Sequence, residues 1–387
     1  MKKIGVAILG LGDVGGGTYQ MLTKRREFYQ KTQNVDIEVV SVLEKDRSRT
    51  QELLVPEDKI AGNIAEVAGN PDVNIVVECI SDTAAAKEFV LAALNIGQTV
   101  VTSNKELYAK YSHELERVAK SHNAGLYYEA SCYGGIPVVK TLLGSLQGNN
   151  IFSVMSTVNG GAEDAAYELS ILSSLAFHTK VPYSKVALEN AKIPQEEAEN
   201  AKRLGYLVKQ LAIGTQGDAG IEVRVQPVLV KKSHPLGKVA RGLDAVLIES
   251  DSAGQVLLAG DSTGALPVGS AIISDILYIA THSEYKYSTF KNTAEAENDV
   301  TFTQDPLSAF YLRITAEDDV GALAKIVSTL GKNRVGVVDV TQCKSGGQKS
   351  VILLVTDVVR ESAVKNAAEK INATGLATVE ALLKAVC

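Results

Sequence analysis

Apolar residues follow two rhythms along this chain. Residues 4–9 (IGVAIL) form a short, nearly continuous apolar run, as expected of a parallel strand buried on both faces. Residues 35–43, 74–80, 99–102 and 126–129 repeat the pattern, with helix-like stretches at 16 to about 29, 84–96 and 112–122 between them. Strand, helix and strand at this spacing predict a doubly wound parallel α/β sheet. After about residue 148 the rhythm changes. A strand at 151–159 and helices at 165–177 and 196–211 are followed by an alternating strand at 221–230. Residues 243–249 and 255–259 suit a hairpin closed by Asp251-Ser252-Ala253-Gly254, and 270–282 reads as a helix leading back to the first region.

Residues 291–307 are polar and contain a proline, which reads as a linker. From residue 310 a new unit begins, with strands at 310–315, 336–342 and 350–356. Its helices run from Asp318-Asp319-Val320-Gly321 to 330 and over 361–373. That order is βαββαβ, a ferredoxin-like unit. Three domains are expected: 1–148, an α+β domain over 149–290, and 308–387.

Composition narrows the setting. The 387 residues exceed one typical core. Lys and Arg total 39 against 45 Asp and Glu, a net charge of −6 with no basic tract, which argues against nucleic-acid or anionic-membrane partners. No apolar run reaches the ~18 residues of a membrane span. The N-terminus runs straight into a strand and a glycine turn, so no signal peptide is expected. The four cysteines, Cys79, Cys132, Cys343 and Cys387, are scattered and form no thiolate metal pattern. A reducing cytoplasm is the expected location.

The chemistry begins at Gly10-Leu11-Gly12-Asp13-Val14-Gly15, a GxGxxG turn between a strand and a helix. The first glycine permits the tight turn, the second lets a pyrophosphate approach the backbone, and the third lets the helix pack against the sheet. The helix start then offers free N–H groups to the phosphates. A dinucleotide cofactor follows. The second strand runs into Glu44, Lys45, Asp46 and Arg47. An acidic residue here suits the ribose hydroxyls of NAD, and a basic one the 2′-phosphate of NADP. Both types are present; Lys45 and Arg47 lean toward NADP, with use of both open.

Further strings lie in order: Thr102-Ser103-Asn104-Lys105, then Tyr128-Glu129-Ala130-Ser131-Cys132-Tyr133-Gly134-Gly135-Ile136-Pro137, Val158-Asn159-Gly160, Asp164-Ala165-Ala166, Lys202-Arg203-Leu204-Gly205-Tyr206 and His234-Pro235-Leu236. Together with the glycine turn they resemble the homoserine dehydrogenase family over almost the whole chain. The unit from Phe310 is similar to the ACT domain of many bacterial members. The resemblance implies a Rossmann domain, a substrate and dimerisation domain and a regulatory ACT domain. It also implies NAD(P)H-dependent interconversion of L-aspartate 4-semialdehyde and L-homoserine. An amino-acid substrate, an amino-acid effector at the ACT domain and a homodimer or homotetramer come with it.

By the same resemblance Lys105 is the catalytic cation, with Asp164 and Glu168 beside it. Thr102 and Gly264 join the glycine turn at the cofactor. Glu129, with carbonyls of Cys132, Gly134 and Ile136, would hold a sodium or potassium ion. A cation near the carbonyl stabilises the oxygen that gains charge on hydride addition, and a positioned acid contributes typically ~10²–10⁴-fold.

The resemblance also marks departures. Relatives carry a substrate-gripping hairpin after Asn-Gly, whereas Asn159-Gly160-Gly161 here leads almost directly into Ala162-Glu163-Asp164. Four residues after Asp164, where the family has a second catalytic lysine, stands Glu168. One helix face then carries two negative charges with no cation expected between them, and Glu168→Lys is expected to raise activity. Ser81-Asp82 replaces a glycine pair, Gly260-Asp261-Ser262-Thr263-Gly264 replaces a Gly/Pro-rich string, and Val320-Gly321 replaces the usual Pro-Gly of an ACT unit. These keep a second reading open: a paralogue acting on another small carbonyl compound, or binding nucleotide and amino acid without catalysis.

Overall fold

The computed structural model describes all residues except 190–191, 241, 283–299, 304, 318–319, 346–348 and 387. Most of the expected linker at 291–307, the pair Asp318 and Asp319, and Cys387 lie outside the described residues. The chain forms two compact units: Met1–Val154 with Glu163–Val186 and Gly242–Asp299, and Met155–Ala162 with Ala187–Arg241 and Val300–Cys387. Among the described residues no helix is long and apolar enough to cross a membrane, and Cys79, Cys132 and Cys343 are free thiols.

The first unit is built on five parallel strands, β1 (Lys2–Leu9), β2 (Val35–Leu43), β3 (Ile75–Glu78), β4 (Thr99–Thr102) and β5 (Leu126–Tyr127), in the order β2-β1-β3-β4-β5. β1 is buried from Ile4 onward, which explains its unbroken apolar run. The outer strand usual in such sheets is reduced to one parallel bridge, Ile60 to Val42 beside β2. Helices α1 (Asp13–Lys24), α2 (Thr83–Asn95), α3 (Lys105–Ser121), α4 (Ala162–Ala176) and α5 (Ala265–Thr281) belong with this sheet. The expected helix from 16 to 29 is in fact two, parted at Arg25 and resumed over Arg26–Gln33. α3 starts seven residues earlier than its apolar spacing suggests, because Asn104 caps it by accepting the Leu107 N–H at 2.8 Å.

α5 closes the sheet's core although it comes late in the chain. Ala271, Ile272, Ile273 and Ile276 share one apolar cluster with Val6, Ile8, Leu22 and Val101. α1 and α5 touch through small residues: a Cβ on Gly17 would lie 2.8 Å from the Ala265 Cβ, and one on Gly269 would lie 2.7 Å from the Met21 side chain. The expected hairpin forms, as antiparallel strands Asp244–Ser250 and Gly254–Gly260.

In the second unit the expected helix at 196–211 is overturned after its first half. The helix ends at Arg203, and Tyr206–Gly217 is a strand paired antiparallel with Gly220–Lys231. Leu204, Leu207, Val208 and Leu211 mimic helical spacing, but Gly205 sits at φ +81°, a left-handed stop between the two elements. The terminal unit is ferredoxin-like as expected. Strands Ala377–Val386, Leu307–Glu317, Lys349–Thr356 and Val337–Ser345 lie side by side in that order, with helices Ala322–Lys332 and Glu361–Ala373 packed on them. Its last strand pairs parallel with 220–231 at Ala385 and Leu229. Buried ion pairs reinforce the junction: Glu222 meets Lys384 and Arg224, and Glu197 accepts from Tyr311 Oη at 2.8 Å and Arg313 Nε at 2.6 Å.

Candidate active site

A cleft of about 980 Å³ opens at the carboxyl ends of β1–β4, where ligands of such sheets bind. Its floor is the glycine turn. Gly10 holds φ +88°, and its N–H donates to the Leu43 carbonyl at 2.9 Å. A Cβ on Gly15 would lie 1.9 Å from the Gly10 carbonyl oxygen, so the helix reaches the turn only because that atom is missing. Nothing lies within 4 Å of a Cβ built on Gly12, which leaves the backbone open to the cleft. α1 starts directly afterwards, with its first N–H groups free for an anion. A cradle of this shape fits a dinucleotide pyrophosphate.

Gly10, Gly12, Asp13, Val14, Lys45, Lys105 and Asp164 line this cleft. Leu11 is buried beneath it, and its N–H donates to Glu44 at the end of β2. Glu44 also lines the cleft and accepts the Asp46 N–H at 2.9 Å. Arg47 is not a lining residue and lies 3.7 Å from Glu57. Gly264 precedes α5 at φ +95°, also away from the lining. Asp82 caps α2, accepting from the N–H groups of Ala84 and Ala85.

At the reaction end, Lys105 is the first residue of α3. Its Nζ lies 2.8 Å from Glu168 Oε1 and 3.7 Å from Asp164 Oδ2. The two carboxylates of α4 therefore do have a cation between them, supplied by another element, which corrects the expectation from α4 alone. Glu168 is buried and faces the Tyr133 N–H at 3.5 Å. Burial pushes the Glu168 carboxyl above its ordinary range, and the Lys105 ammonium pulls it only partly back. Burial alone would lower Lys105, yet Glu168 and Asp164 outweigh it and hold the ammonium above its usual value. Asp164 is 63 % exposed and sits at the rim.

Glu129 does not end a strand. β5 stops at Tyr127, and Glu129 opens a short 3-10 turn through Ser131. Its carboxylate accepts the N–H groups of Val139 and Lys140 at 2.9 and 2.8 Å, at the start of a short helix, and the Ile136 carbonyl accepts the Val138 N–H at 2.8 Å. Lys140 pairs with buried Asp275 at 2.7 Å. Burial, reinforced by Asp275, raises Glu129 to about 7. Among the described residues no side-chain cluster of His, Cys, Asp and Glu is arranged to hold a metal ion. Both oxygens of the Glu129 carboxylate and the Ile136 carbonyl thus already accept backbone hydrogen bonds.

One group escaped the sequence reading. Glu78, the last residue of β3, is fully buried, and burial raises it to about 7 despite a hydrogen bond from Thr102. Thr102 points at this carboxylate and not into the cleft. The only signal in the sequence was a charged residue inside the apolar run NIVVECI.

A parallel sheet with a glycine turn, an open anion cradle and a lysine at the far end of one cleft defines a nicotinamide-dependent oxidoreductase. Comparison with known proteins makes the class specific. Residues 10–129 match the homoserine dehydrogenase NAD binding domain, 160–277 the homoserine dehydrogenase family and 310–375 the ACT domain. A homoserine dehydrogenase of Corynebacterium glutamicum is 30% identical over 96% of this chain and 93% of its own length; one of Neisseria gonorrhoeae is 28% identical over 96% of both. The crystal structure of a homoserine dehydrogenase from Thiobacillus denitrificans superposes with a TM-score of 0.88 at 27% identity, covering 100% of this chain and 99% of that one. This chain belongs to the homoserine dehydrogenase family. The Neisseria alignment spans 425 positions against 387 residues here, so that relative carries stretches this chain lacks.

Proposed function

We propose that the protein interconverts L-aspartate 4-semialdehyde and L-homoserine with a nicotinamide cofactor. The observation that carries this reading is the Lys105 ammonium, at the end of the dinucleotide cleft and bracketed by Glu168 and Asp164. The cofactor, when bound on the glycine turn, supplies or takes the hydride. Lys105 donates a hydrogen bond to the aldehyde oxygen, where negative charge grows, and gives it a proton. In the reverse direction Lys105 takes the hydroxyl proton as it passes one to Glu168. A carboxyl raised by burial is suited to hold that proton. Asp164, exposed at the rim, offers an exit to water.

Glu44 supports NAD over NADP, against the lean given by Lys45 and Arg47 in the sequence. Its carboxylate lines the cleft just after β2, and an acidic residue in that position suits a ribose diol and would repel a 2′-phosphate. The ACT match supports an amino acid as effector. No step is assigned to a monovalent cation.

The test is homoserine-dependent reduction of NAD and of NADP, followed at the nicotinamide absorbance, for wild type and Lys105→Ala. Turnover is expected with NAD preferred, and a fall of at least ~10²-fold in the variant with little change in cofactor affinity. Equal turnover in Lys105→Ala would remove the acid from this scheme.

A further inference from the structure

Two loops line the reaction end of the cleft, one after β3 (Ile80, Ser81, Asp82) and one after β4 (Ser103, Asn104, Lys105). They are joined underneath by a closed ring of hydrogen bonds. Glu78 Oε2 accepts the Thr102 hydroxyl at 2.5 Å, and Glu78 Oε1 accepts the Ile80 N–H at 2.6 Å. Thr102 Oγ1 in turn accepts the Asn104 N–H at 3.0 Å. Asn104 Nδ2 closes the ring on the Ile80 carbonyl at 3.0 Å, while its Oδ1 caps α3. The Ser103 N–H donates to the Glu78 carbonyl at 3.1 Å. Lys105 follows directly as the first residue of that capped helix.

We infer that Glu78 is a positioning residue for the reaction: through Thr102 and Asn104 it fixes the backbone from which Lys105 reaches the substrate oxygen. A carboxylate is expensive to bury completely, and apolar neighbours would satisfy β3 on packing grounds alone. What the carboxylate adds is two acceptors, at one end of a strand, for donors on two different loops. Lys105 needs that accuracy because a displacement of ~1 Å at a reacting group can lower a rate by about 10²-fold. Glutamine in place of Glu78 keeps shape and size, but with its oxygen on the Ile80 N–H it turns an N–H toward the Thr102 hydroxyl, whose own O–H then loses its acceptor.

This assignment rests on Lys105 as the acid of the proposed reaction, so the test is a cycle that includes it. Full-length wild type, Glu78→Gln, Thr102→Val, Thr102→Ser, Lys105→Ala and the double variant Glu78→Gln/Lys105→Ala are compared for kcat with homoserine and for NAD dissociation constant. Glu78→Gln and Thr102→Val should each lower kcat by about 10- to 100-fold, with NAD binding changed less than threefold. Thr102→Ser, which keeps the hydroxyl, should stay near wild type. In the Lys105→Ala background the Glu78 substitution should have no further effect. A persisting fall in that background, or an undiminished kcat in both Glu78→Gln and Thr102→Val, overturns the positioning role. Full activity in Lys105→Ala instead overturns the reaction scheme, so the two failures are distinct. Thr102→Val keeps the test alive if Glu78→Gln does not fold.

Discussion

The glycine turn at residues 10–15 and the ion cluster of Lys105, Asp164 and Glu168 serve the same cleft by opposite means. The turn works through missing atoms: one glycine for its φ, one for open space and one for a helix that could not otherwise reach the sheet. The cluster works through added charge, one ammonium set between two carboxylates of another helix, Glu168 buried and Asp164 at the rim. The first is written in six consecutive residues. The second joins positions 63 residues apart, and its sense depends on a neighbour that neither helix specifies. Backbone chemistry is thus local and legible, whereas charge balance is a property of the assembled site.

The sharpest way to probe that contrast is to add one methyl group at each kind of glycine. Gly15→Ala is expected to destabilise the fold by about 3 kcal/mol, the upper end of the usual overpacking cost, since the new Cβ would press on the Gly10 carbonyl; denaturant unfolding measures it. Gly12→Ala meets no protein atom and should leave stability nearly unchanged. Its effect should appear in NAD affinity, weakened by more than about tenfold, ~1.4 kcal/mol. If the two variants behave alike, the division of labour within the turn is wrong.

On the charged side, Glu168→Gln removes the carboxylate that holds Lys105 above its ordinary value. The limb of the pH–rate profile that reports Lys105 should move to lower pH, and turnover should fall by about tenfold or more. Glu168→Lys would set two ammonium groups about one hydrogen-bond length apart. It is therefore expected to lower activity, the reverse of what the residue pattern on α4 suggests.

A further carboxyl of the first unit, the half-buried Glu116, is raised by burial to about 8, and Tyr108 donates to it. A carboxyl raised in the folded state keeps its proton where the unfolded chain has already lost it. Stability from this group is undisturbed below about pH 4.5 and declines as pH rises to about 8. Glu116→Gln should flatten that decline, read as thermal unfolding at pH 5 and pH 9. Glu78 and Glu129, both raised to about 7, keep part of the slope in place.

The parallel sheet, the hairpin and the ferredoxin-like unit could be read from the chain because each rests on short-range apolar rhythm. The strand at 206–217 could not, since its apolar residues sit at helical intervals and only the left-handed Gly205 breaks the helix before it. Lys105 was visible as a motif residue, but the first turns of its helix were not: helix was expected only over 112–122, and the start is set by the Asn104 cap. Glu78 and the partner of Glu168 were hidden for a common reason. A buried charge is explained only by what faces it, and those partners belong to other elements.

The close approach of Gly17 to Ala265 and of Gly269 to Met21, at the α1–α5 junction, also bears on how the protein is made. As the chain leaves the ribosome, the five strands and α1 emerge first, with Thr18 and Met21 on a face that has no cover. The residues that seal it arrive only with α5, after roughly two-thirds of the protein has been synthesised. The nucleotide-binding half is therefore complete late, and its apolar flank stays open for most of translation. A nascent chain stalled before residue 265 would carry all the chemistry of the cleft floor on a core that is not yet closed.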